Sequence, residues 1–389
     1  MKNLVYIIIL LLFGCQNSKE NGHTNLTAEN EIEEVEMVNV CTGVDLQLEA
    51  TYHRSELMEQ LARQDFLDPI NKLPLKEKLT QLLKRKDEVI YLSLSNMKLR
   101  ELPKEVFEFK NLVAIDISGN NFINKEKLIE DLAKIPKLKI LDFIWADLKK
   151  LPENIDLLAN LEVLSLASNN LTALSEDIGK LTKLKYLGLS NNKRLKDLPE
   201  SIKNLKCLQL LNVSGTGLTR LREEISENRE LVILLANASN IETIPEKIGN
   251  LTKLVTLNVA ANKISKVSES MGKLQNLQKL SLASNNLTYL PKSISELKNL
   301  QMITLDYNKF KTFPREVLGL DNCFNLAVQN NAFPTIPAEI GKMKSLTHLL
   351  VDHEVITDEN IEAIKAVNPE LRVIRQDTRR YVKGPKRKN

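Results

Sequence analysis

The chain is poor in the residues that most enzyme sites use. Of 389 residues only four are histidine and four are cysteine. Aromatics make up 5%, with a single tryptophan, Trp145. No GxSxG, P-loop or dinucleotide fingerprint occurs, which excludes the commoner nucleophile-elbow and phosphate-cradling chemistries. The cysteines at 15, 41, 207 and 323 show no CxxC spacing, so neither a zinc site nor a disulfide framework is expected. The densest ligand-like set is His348, Asp352, His353 and Glu354 in "HLLVDHE". It does not match HExxH, and an i, i+5 pair on a strand points to opposite faces. No metal and no cofactor are expected. The net charge is only +4, so no global field points to nucleic acid. The apolar run Leu4–Phe13 is too short to span a bilayer.

That run has a use nonetheless. Lys2 precedes it and "LFGC" (Leu12 to Cys15) ends it, the form of a secretory h-region followed by a cleavage site. The tetrapeptide resembles a bacterial lipobox, which implies cleavage before Cys15 and lipidation of its thiol. Gln16 and "SKE" (Ser18 to Glu20) resemble the sorting signals of outer-membrane and surface lipoproteins. An ordinary signal peptide or an uncleaved anchor are the alternatives. Residues 1–14 are thus read as signal peptide, 15–45 as a flexible acidic tether, and 46–88 as an N-terminal helical cap. In the cap, Leu75, Leu79, Leu82 and Leu83 mark one helix face.

From residue 89 a period takes over. Repeats start at Val89, Leu112, Leu138, Leu161, Leu184, Leu208, Leu231, Leu254, Leu277, Leu300 and Cys323. Spacings are 23 residues except one of 26 and one of 24. "LQKLSLASNNLTYLPKSISELKNL" (Leu277 to Leu300) shows the common form LxxLxLxxNxLxxLPxxIxxLxxL. This resembles the leucine-rich-repeat family, and more narrowly its 23-residue LPxxIxxLxxL class. The resemblance implies an α/β leucine-rich-repeat solenoid (horseshoe): eleven repeats over 89–345, parallel β-strands on the concave face, and helical caps. Residues 346–378 form the C-terminal cap and 379–389 a basic tail. Within each repeat the residues at positions 4 and 6 point inward from a short strand. One repeat cannot bury a core alone; stacking closes it. Prolines at 103, 152, 199, 245, 291, 314 and 337 make the convex side extended and 3₁₀-like.

In the family this resembles, the asparagine at position 9 bonds backbone groups of neighbouring turns. The corresponding ladder is Asn120, Asn169, Asn192, Asn262, Asn285, Asn308 and Asn331. Thr216 and Ser239 retain a hydroxyl there, whereas Met97 and Ala146 break the ladder. Asn228 occupies a convex leucine position and suggests a looser turn.

What remains is recognition. Positions 3, 5, 7 and 8 should face the concave side or its edge, and at 5 and 8 most residues are small and weakly polar. Two places stand out as partner-binding candidates: Asp116, Asp142, Ile144 and Trp145, then Asp306 and Tyr307. Trp145 either anchors a partner or folds over Gly119 to fill the space of the lost asparagine. The expectation is a non-enzymatic exported lipoprotein at the bacterial outer membrane or cell surface. It would be a monomer, held to the membrane by its lipid, and would bind a protein or peptide. An intracellular-type scaffold or regulator of a signalling protein is the alternative.

Overall fold

The computed structural model describes residues 70, 72–352 and 356–376. The signal peptide, Cys15, the tether, most of the N-terminal cap, His353, Glu354 and the basic tail lie outside the described residues.

The chain divides into two compact units, residues 1–93 with 108–112, and residues 94–107 with 113–389. In the first, helix α1 (Leu75–Leu83) starts directly after Pro74, whose missing N–H costs nothing at a helix entrance. Leu79 and Leu82 are buried, and so is the adjacent Lys78. The Lys78 ammonium donates to the Ser93 carbonyl, which explains a buried cation that apolar spacing does not reveal. Strand β1 (Tyr91–Ser93) closes the first of this unit's two segments.

The second unit is a solenoid. Its strands are β2 (Ala114–Asp116), β3 (Ile140–Asp142), β4 (Val163–Ser165), β5 (Tyr186–Gly188), β6 (Leu210–Asn212) and β7 (Ile233–Leu235). Then follow β8 (Thr256–Asn258), β9 (Lys279–Ser281), β10 (Met302–Thr304), β11 (Asn325–Ala327), β12 (His348–Asp352) and β13 (Arg372–Gln376). Each pairs in parallel with the next. The pairing keeps repeat position against repeat position, as in Val163 with Tyr186 and Leu164 with Leu187. Position 4 side chains such as Leu164, Leu187 and Leu234 are fully buried. Cys323 replaces a leucine at position 1 and is equally buried, its thiol pKa pushed up to about 12 by desolvation.

Opposite the strands run short 3₁₀ turns, such as Lys292–Glu296 after an extended Pro291 (φ −67°, ψ 148°). Two features differ from expectation. The 26-residue repeat builds a full α-helix, α2 (Lys125–Ala133), because its extra residues leave length for two turns. Asn124 caps it by accepting from the Lys127 N–H at 2.8 Å. Asn228 does not loosen its turn. It is fully buried, and its Nδ2 donates to the carbonyls of Ile202 at 2.8 Å and Leu205 at 3.0 Å, a cross-link on the turn side.

At the C-terminal end α3 (Asp358–Val367) lies between β12 and β13. Its cap is Thr357. The Thr357 hydroxyl accepts from the Asn360 N–H at 3.2 Å, and Asp358 is the first helical residue.

Candidate binding face

The strand face is organised by what lies behind it. The Asn169 amide donates to Phe143 O at 2.8 Å and Leu166 O at 3.0 Å, joining position 6 of two adjacent repeats. Its carbonyl oxygen accepts from Ala146 N at 2.9 Å and Leu148 N at 3.1 Å. The other asparagines reach back in the same way: Asn120 to Leu94 O at 2.8 Å, Asn192 to Leu166 O at 3.0 Å, Asn262 to Ala236 O at 2.8 Å. Asn285, Asn308 and Asn331 each reach the corresponding carbonyl, of Val259, Leu282 and Leu305, at 3.0 Å. Thr216 donates to Val213 O at 2.7 Å, and its N–H donates to the Ser239 hydroxyl at 3.1 Å. Backbone groups that a three-residue strand leaves over are thereby satisfied inside the coil.

The residue before each rung is left-handed. Asn96, Gly119, Trp145, Ser168, Asn191, Gly215, Ala238, Ala261, Ser284, Tyr307 and Asn330 all have φ between +51° and +67°. This is the bend that turns the chain from strand into interior, and it explains why small residues and asparagine predominate there. Trp145 (φ +52°) and Tyr307 (φ +54°) carry the strain of a bulky side chain in that region, and both are exposed, at 47% and 42%.

Where the rung is missing, the backbone compensates. Only Lys98 (φ +56°) and Asp147 (φ +51°) are left-handed at position 10 among the described repeats, and they follow Met97 and Ala146. Without an amide to hold the bend, a second left-handed residue makes it. Ala146 is buried and its N–H goes to the next rung, Asn169. Phe122 and Phe143 fill the interior beside it, edge to face with ring centroids 5.9 Å apart. Trp145 remains 47% exposed next to this interior pair.

The sequence-predicted cluster is only partly exposed. Asp142 (4% exposed) and Ile144 (6%) are buried, against the expectation that both lie open on the face; Asp116 is half-buried. Asp142 stands at position 5 between Asp116 and Ser165 on the paired strands, roughly 4.8 Å to either side, so its neighbours shield it. The Tyr186 hydroxyl hydrogen-bonds Ser165 and interacts with Asp142 across the same row. Gly188 makes this possible: a Cβ there would lie 2.5 Å from the Tyr186 hydroxyl oxygen. Burial first and the Asp116 charge second push the Asp142 pKa well above the carboxylate range, and burial raises that of Tyr186. Asp306, half-buried, is pushed up to about 6 by desolvation. The structure thus keeps Asp116, Asp142, Ile144 and Trp145 on neighbouring repeats, and Asp306 with Tyr307 far along the coil.

A feature that small-residue counting missed lies between them. Leu210, Ile233 and Leu235 are half-buried on β6 and β7, at positions 3 and 5. Apolar residues at position 3 were the available signal, masked because the same repeats are leucine-rich throughout. From β2 to β11 only Asp116, Asp142 and Lys279 are charged at positions 3 and 5.

A leucine-rich-repeat region profile matches residues 172–287 and 268–383, together more than half of the 389 residues, and a single-repeat profile matches 160–181. No curated protein matches the chain by sequence. Among solved structures, an internalin (inlF) from Listeria monocytogenes is 20% identical, over 78% of this chain and 96% of its own, at TM-score 0.59. The ectodomain of the Arabidopsis thaliana receptor kinase GASSHO1/SCHENGEN3, solved with CASPARIAN STRIP INTEGRITY FACTOR 2, is 27% identical, at TM-score 0.57. That likeness covers 73% of this chain and 35% of the ectodomain, so this chain spans about a third of that relative's length. A leucine-rich-repeat protein of Leptospira interrogans is 25% identical over 76% of this chain and 98% of its own, at TM-score 0.42. Period, parallel ladder and profile agree: the chain belongs to the leucine-rich-repeat family.

Proposed function

We propose that this protein is a non-enzymatic, exported lipoprotein that binds a protein or peptide on the concave strand face of its 23-residue repeats. The observation that carries the binding reading is the apolar centre Leu210, Ile233 and Leu235 on an otherwise weakly charged, hydrogen-bonded ladder. Half-exposed apolar side chains on a rigid face act as interface cores. A preformed ladder also loses little conformational freedom when it binds. The receptor ectodomain solved with a bound factor adds support by likeness of fold.

Export rests on Lys2, the run Leu4–Phe13 and "LFGC". On this reading Cys15 is lipidated, the polar segment after it holds the repeats off a bacterial outer membrane or cell surface, and the protein is a monomer. Two or more acyl chains suffice for stable anchoring.

Two experiments test the two halves. Mass spectrometry of the native protein should find an acylated Cys15 at the N-terminus; an intact Met1 overturns export by this route and favours an intracellular scaffold. Partner capture from cells by the full chain should be lost in Leu235→Glu with its melting curve unchanged. A Leu235→Glu variant that captures the same partner equally well overturns the strand-face reading.

A further inference from the structure

Three partly shielded carboxylates of this fold are matched with cations, two apiece. Asp131 is held by Lys127 at 2.7 Å and Lys134 at 2.6 Å, Glu162 by Lys139 at 2.8 Å and Lys185 at 2.7 Å. Asp197 takes Arg220 at 2.7 Å and Arg222 at 2.9 Å. Asp142 is more deeply buried than any of these three, and among the described residues no lysine or arginine pairs with it. Its Oδ1 accepts no hydrogen bond there. Its register partner on β2 is a second carboxylate, Asp116, so ionising both would set two like charges on adjacent strands. A buried acceptor left unused is costly, and a neighbouring like charge would add to that cost. The loops around the pair are tied down: Asp116 Oδ1 accepts from Ser118 N at 2.9 Å, and the Ser118 hydroxyl accepts from Ile144 N at 3.1 Å. Three residues beyond Asp142, the half-exposed Trp145 is held outward by its left-handed backbone.

We propose that Asp116 and Asp142 form a subsite for a cationic side chain of the ligand, a guanidinium or ammonium, with Trp145 as the aromatic wall at its rim. This rests on the strand-face binding reading and names one chemical requirement of the partner. A cation seated beside Asp116 favours the ionised form of Asp142 and offers its unused Oδ1 a donor. A planar guanidinium can give parallel N–H bonds to carboxylate oxygens. An organic cation also gains from a tryptophan face within about 6 Å, as a hydrated metal ion does not. Among the described residues no group of three or more His, Cys, Asp or Glu converges, so the donor set suits an organic cation better than a metal.

Trp145 is the only tryptophan, so its fluorescence reports this site alone. The full chain is titrated with end-blocked triarginine, with end-blocked tricitrulline, and with calcium chloride. The expected result is a saturable change with triarginine and none with the other two. Asp142→Asn should weaken triarginine at least tenfold; being isosteric, it should melt no lower than the parent. Asp116→Asn should weaken it as well, and Asp306→Asn, at the other end of the face, should not. No saturable response to triarginine, an equal response to tricitrulline or calcium, or unchanged affinity in both Asp116→Asn and Asp142→Asn overturns the subsite. The broader strand-face reading stands or falls separately, on partner capture by Leu235→Glu.

Discussion

At the scale of single residues, the coil depends on amides that the core cannot replace. Asn192 is fully buried and bonds Leu166 O, Leu189 O and Leu171 N at 3.0, 2.8 and 3.1 Å. Asn192→Ala strands those groups, so a loss of about 2–4 kcal/mol is expected, read from urea unfolding. The natural Ala146 costs less because Asp147 bends the backbone a second time and Asn169 accepts the orphaned Ala146 N–H. Asp306 gives a pH signature. Its folded pKa of about 6 lies above the ordinary value of 3.8, so the folded state holds the proton more tightly than the unfolded one. Its contribution is therefore fully present below pH 3.8 and is lost as pH rises through about 6. The advantage in stability of Asp306→Asn over the parent should accordingly grow between pH 4 and 7; parallel curves from denaturant titrations at each pH contradict this.

At the scale of elements, local chemistry decides where the turn side becomes helical. Proline at the entrance and five residues before the buried Leu297 leave room for a 3₁₀ turn and no more, as at Pro291 before Lys292–Glu296. Three added residues and an asparagine cap convert the same stretch into α2. Asn124→Ala removes that cap and should cost about 1 kcal/mol, measured by thermal melting, without altering the strand ladder. Carboxylates bind successive turns together: Glu176 accepts from Ser201 N at 2.8 Å, and Glu269 from Ser293 N at 3.0 Å. A carboxylate at the N–H end of a turn is stabilising, which also lowers the pKa of both glutamates through these bonds. The α1 and α3 caps differ in legibility. The Leu75–Leu83 stripe shows α1 directly, whereas Thr357 and Asp358 are equally good cap residues, and only the bond to Asn360 N distinguishes them.

At the scale of the whole molecule, a repeat unit touches its neighbours and little else, so stability is transmitted along the coil and the terminal elements matter most. A chain ending at residue 345 would lose β12, α3 and β13, leaving β11 as an open apolar edge. It should aggregate on size-exclusion chromatography while the parent does not. The repeat count, the inward positions 4 and 6, the asparagine ladder and the 3₁₀ character of the turn side were all legible in the sequence, because a 23-residue period repeats the same local choice many times and noise averages out. Single departures from the period were not. Asn228 read as a defect and is a buried cross-link; Asp142 and Ile144 read as open and are shielded; Leu210, Ile233 and Leu235 stood at strand-face positions without being singled out and form a half-open apolar patch. The sequence by itself determined the coil, since each repeat needs only its neighbour's apolar face to be stable. Tertiary structure alone decided which side chains a partner can reach, because exposure at positions 3 and 5 depends on residues 23 to 26 places away that pairing brings about 5 Å apart.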